Sequence, residues 1–71
     1  MRLVDLRPED RAIVTSLDGG PTFVQKLNLR GVCEGSLLRV ISSLGPVTVE
    51  VDRNTVCIGT GMAERIEVRR I

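Results

Sequence analysis

The sequence predicts a mainly β domain: a small, partly open barrel of about five strands with one short helix inserted after the first strand. Three observations carry that expectation. Short β-branched and aliphatic runs ("AIVTSL", "LLRVIS", "VTVEVD", "TVCI", "IEVRRI") are separated by glycine, proline and aspartate turn signals. One of them, residues 47–52, alternates cleanly between apolar and polar side chains, the period of a half-buried strand. Only "GPTFVQKLNLRG" carries the start, stripe and stop of a helix. A chain of 71 residues has room for one domain, 1–71. A barrel gives such a chain one enclosed core and removes most free sheet edges.

Taken in order, "MRLVDLRPEDRA" opens with a brief apolar-polar alternation and then a Pro-Glu-Asp turn. Residues 12–17 form the first strand, stopped by Asp18-Gly19-Gly20. Gly20 caps a helix that begins at Pro21, where a missing N–H costs nothing. Phe23, Val24 and Leu27 make a narrow inward stripe of about two turns that covers an open side of the barrel, and Gly31 is the helix-stopping C′ residue. "CEGS" is a turn. Residues 37–42 are the second strand, with Leu38 and Val40 inward, and "LGP" at 44–46 reverses the chain. In the third strand Val47, Val49 and Val51 face in, and Thr48, Glu50 and Asp52 face out. Arg53-Asn54 is expected as a two-residue hairpin turn, since Asn accepts positive φ. Residues 55–58 return. "GTGMAER" is a tight connection with one turn of 3₁₀ helix, and residues 66–71 are the last strand.

Composition narrows the function. Ten basic and nine acidic residues leave a net charge of +1, and there is one Phe with no Tyr or Trp. Nucleic-acid binding rests on phosphate neutralisation and, for single strands, on aromatic stacking, so that class is disfavoured. Nine of the ten cations are Arg, suited to carboxylate pairing. No stretch approaches a membrane span, and no signal-peptide pattern follows Met1-Arg2. The expected compartment is therefore the cytoplasm, with Cys33 and Cys57 as thiols.

No side-chain set reads as catalytic. The chain has no His, and neither its serines nor its cysteines show a partner base, so it is not expected to be an enzyme. Cys33 and Cys57 lack zinc-site spacing, and Glu50 with Asp52 on one strand face is read as a solvated surface near Arg39 or Arg53; no metal site and no cofactor are expected. "GTGMAE" opens like a dinucleotide fingerprint but has Glu64 where the motif needs Gly, and the next strand follows too soon for a crossover helix. What remains is apolar surface. Leu29 lies opposite the helix's inward stripe, Leu37 adjoins inward-facing Leu38, and Leu44 sits at a turn tip. Together they are expected to form a patch for another protein.

The order "VTSLDGGPTFVQKLNLRGVCEGSLLRVI" then "VTVEVDRNTVCIGTGMAERIEV" resembles the ferrous iron transport protein A (FeoA) family over nearly the whole chain. The resemblance lies in the glycine pair after a strand, the short helix carrying Leu27, and the turn at Gly31, Gly35 and Ser36. It extends to the three-strand run and the "MAERIEV" ending. Arg30 stands where an aliphatic residue is usual in the family, and Glu34 where proline is common; both fall at the helix end. The resemblance implies an SH3-like barrel. It also implies a cytosolic accessory protein that contacts the cytoplasmic region of the FeoB-type ferrous iron permease, and so meets the membrane only through that partner. Leu29, Arg30, Leu37 and Leu44 are the expected contact residues, and the exposed leucines make a homodimer plausible. Two alternatives keep the fold: an interaction domain related to the SH3-like domains of iron-dependent repressors, and a small metal-responsive binding module.

Overall fold

Strand β1 (Arg11–Leu17) is the hub of the sheet in the computed structural model, which describes residues 1–71 throughout. It pairs antiparallel with β2 (Leu37–Ser42) on one side and β5 (Ile66–Arg70) on the other. Beyond β2 lie β3 (Val47–Val51) and β4 (Asn54–Ile58), giving the order β4-β3-β2-β1-β5. Register shifts between Val14 and Ser16 and between Val40 and Ser42 bend β1 and β2 at bulges. The bent sheet curls around one core, while β4 and β5 remain its two edges.

Leu38, Val40, Val47, Val49 and Val51 are buried as expected, and alternation also buries Ala12, Val14, Val56, Ile58, Ile66 and Val68. Every buried residue is apolar, and no buried side-chain polar atom lacks a partner. The hairpin differs by one residue from the expected Arg53-Asn54 turn. Val51 pairs with Asn54, and the turn is Asp52-Arg53, both at positive φ (50° and 68°). Strand β3 accordingly ends at Val51, and Asp52 leaves the strand face it was expected to share with Glu50.

Helix α1 (Pro21–Leu29) starts after N-cap Gly20 with Pro21 in its first turn. Leu27 is fully buried, but Phe23 and Val24 are only half-buried, because the helix lies along the rim of the barrel. The connection expected as 3₁₀ is one α-turn, α2 (Thr60–Ala63): Ala63 and Glu64 N–H donate to the carbonyls four residues back, at 2.9 and 3.0 Å. Near the N-terminus the alternation gives way to a 3₁₀ turn at Leu3–Asp5, capped by the Asp5 carboxylate accepting from the Arg2 N–H at 2.9 Å. Leu3 and Leu6, three residues apart, thereby share one side and are both buried.

Candidate interaction surface

The end of α1 is fixed by a Schellman motif. The Val32 N–H donates to the Leu27 carbonyl at 2.9 Å and the Gly31 N–H to the Asn28 carbonyl at 3.0 Å, with Gly31 at φ 88°. Val32 then folds back onto Leu27, and both are fully buried. This closure turns the preceding residues outward. Leu29 is 81% exposed, and Arg30 reaches across to edge strand β4, where its Nη1 donates to the Cys57 carbonyl at 3.3 Å. A shallow groove runs between the two elements, lined on one side by Leu29, Arg30 and Gly31 and on the other by Thr55, Val56 and Cys57.

Leu37 and Leu44 belong elsewhere. Leu37, 54% exposed, opens β2 and borders a separate small depression with Arg11, Arg39, Glu50 and Arg53. Leu44, 91% exposed, lies beyond the far end of β2 in the turn to β3, beside Gly45, whose carbonyl accepts from Thr60 Oγ1 at 3.2 Å. The whole of β2, Leu37–Ser42, about 16 Å of strand, runs between Leu37 and the turn that holds Leu44. The structure thus brings Leu29 and Arg30 together and leaves the other two leucines on different surfaces.

The remaining candidates are dispersed. Cys57 is exposed on β4 and Cys33 is half-buried in the turn after α1. In that turn the Ser36 N–H donates to the Cys33 carbonyl at 3.0 Å, and Gly35 takes φ 88°. No three Cys, Asp or Glu side chains converge on a point that could hold a metal ion. Glu50 pairs with Arg39 at 3.4 Å, and Arg39 also meets Glu9 at 3.3 Å. Sequence reasoning named Leu29 and Arg30 as candidates but not Thr55, Val56 and Cys57, which line the groove opposite them. Their signal exists only once the strand order makes β4 an edge.

Comparison with known proteins agrees with this architecture. A family model described as FeoA domain matches residues 1–70. The structure superposes on the crystal structure of an iron uptake regulatory protein (FeoA) with TM-score 0.93 and 34% identity, covering 100% of this chain and 96% of the other. A manganese-dependent transcriptional repressor matches with TM-score 0.91 and 27% identity over 99% of this chain, but over 40% of the repressor. The FeoA of Stenotrophomonas maltophilia, solved with zinc and described as a procaryotic SH3 domain protein, matches with TM-score 0.82 and 21% identity, covering 97% of this chain and 89% of that one. The expected SH3-like fold is the observed one. No curated protein matches the chain.

Proposed function

Because this chain belongs to the FeoA family, we propose that it is a cytosolic accessory protein of ferrous iron uptake that regulates a FeoB-type membrane permease by direct contact. The observation that carries the reading is the family match over residues 1–70, in a chain with no helix long and apolar enough to cross a membrane. An iron transport role without a spanning helix calls for a partner that spans. The exposed Leu29 beside Arg30 is the surface we assign to that partner. Leu37 and Leu44 are separate, secondary contact candidates.

Co-purification with the cytoplasmic GTPase region of the same organism's permease, with and without GTP, tests the reading. Binding that is lost in Leu29→Asp and retained in Leu37→Ser, both folded, locates the face at the α1–β4 groove. Absence of binding under both nucleotide conditions sinks the permease contact.

A second reading is favoured by one observation, the match of nearly the whole chain to part of a metal-dependent repressor. On that reading the domain is a metal-responsive interaction module. Anaerobic calorimetric titration with ferrous ion separates the two: stoichiometric binding supports the module, and heat at the level of the blank supports the accessory protein.

A further inference from the structure

The two edges of the sheet are treated differently. Along β5 the N-terminal segment acts as a cover: Arg2 bridges to Glu67, and the Val68 N–H donates to the Met1 carbonyl at 2.8 Å. Along β4 no segment pairs. The hairpin register fixes which groups lie bare. Val51 opposes Asn54, Val49 opposes Val56 and Val47 opposes Ile58. In a two-residue hairpin these are the hydrogen-bonded pairs, so Asn54, Val56 and Ile58 direct their N–H and C=O groups to β3. Thr55 and Cys57 direct theirs outward. The Arg30 contact to the Cys57 carbonyl has the parity this requires.

Edge strands are commonly guarded by charges, proline or a covering segment. The β4 sequence, NTVCI, contains no charge and no proline. Its one guard is Arg30, through a single exposed hydrogen bond. Val56, at 8%, is also the most exposed member of the core, and it faces the groove beside Leu29.

We propose that the β4 edge receives an extended segment of a protein partner, which adds as a further strand with an apolar side chain against Leu29 and Val56 and a carboxylate on Arg30. Charge assigns the occupant. Arg30 is the one charged residue among the eight lining the groove, and none of the chain's ion pairs engages it. A second copy pairing β4 against β4 would bring two Arg30 side chains to an edge that carries no carboxylate. Binding is then an exchange: a partner N–H takes the Cys57 carbonyl, and the released guanidinium takes a partner carboxylate. Arg30 guards the empty edge and clamps the filled one. This rests on the accessory reading above and specifies its site.

Amide hydrogen exchange on the whole chain tests it with two probes: the cytoplasmic region of the permease, and a synthetic six-residue peptide of alternating Val and Glu. Either probe should slow exchange at the Thr55 and Cys57 amides by about tenfold or more. Thr55→Pro removes an N–H that β3 does not use, so the fold should persist while binding is lost. Arg30→Glu should weaken binding on the order of tenfold, which provides a second test should Thr55→Pro fail to fold. If the permease binds with these amides unprotected, or binds Thr55→Pro undiminished, strand addition is wrong and the accessory reading stands. If only the peptide protects them, the edge site stands and the permease reading falls. Protection by neither probe overturns the edge site, as does protection that rises with the concentration of the chain alone alongside a doubled mass.

Discussion

Gly19 shows how much one missing Cβ can decide. Its neighbour Gly20 reads from the sequence as a helix cap, and the structure places it at N-cap. Gly19 reads only as the end of a strand. A Cβ built there would run into Phe23 Cδ2 and lie 3.0 Å from Phe23 Cβ, because the chain passes directly over the half-buried ring. Such a close approach is a tertiary fact, and no local pattern announces it. Gly19→Ala should therefore destabilise by about 1–3 kcal/mol, as overpacking does, and a urea melt checks it. Gly20 has open space around its missing Cβ and no side-chain cap bond. Gly20→Ser can supply the absent acceptor to the first turn of α1, and the same melt should show a gain of a few tenths of a kcal/mol, about 0.3. Opposite signs at adjacent glycines would separate contact from conformation as the reason each is there.

Hairpin β3–β4 shows the corresponding limit at the scale of an element. Strand identity was legible from alternation, and Val47, Val49, Val51, Val56 and Ile58 are indeed buried. The register was not. Moving the turn from Asp52-Arg53 to Arg53-Asn54 shifts each β3 residue's partner by two positions, which keeps every inward side chain inward. Hydrophobic burial is blind to such a shift, and only turn chemistry and the pairing of Val47 with Ile58 separate the two registers. Arg53 at φ 68° carries a left-handed strain of about 1 kcal/mol that glycine would not. Arg53→Gly should raise stability by about that amount without altering the pairing of Val49 with Val56, as thermal melting and cross-strand nuclear Overhauser contacts would show. The burial of Val32 was missed for a related reason. Gly31 was legible as the C′ residue, but the apolar residue after it completes a Schellman motif by packing on Leu27.

For the whole molecule, what matters is how the sheet's edges are closed, and this governs the candidate site as well as stability. Sequence order suggests that Leu29, Leu37 and Leu44 are neighbours, since all lie in or near one helix and the hairpin after it. Strand β2, running between the last two, carries them to opposite ends of the sheet. Arg30 and Leu29 share one surface because the Schellman turn sets both beside the groove along β4, where Arg30 alone bonds to the edge. The first residues were underestimated in the same way: their brief apolar-polar alternation did not announce a 3₁₀ turn. Yet that turn buries Leu3 and Leu6 completely or nearly so, and the segment's backbone covers the edge of β5. The Arg2–Glu67 pair at 2.9 Å holds it there, though exposed ion pairs contribute only about 0–1 kcal/mol and apolar burial does most of the anchoring. A domain this small has only about 5 kcal/mol of stability to lose. Leu3→Ala, at a fully buried site, should cost about 2–5 kcal/mol. Melting should fall by at least about 10 °C, with faster exchange of the Val68 amide that bonds to Met1. Leu29→Asp, on a side chain 81% exposed, should leave melting within about 0.5 kcal/mol of the parent. If both variants melt alike, the division between a closed edge that holds the fold and an open edge that binds a partner is wrong.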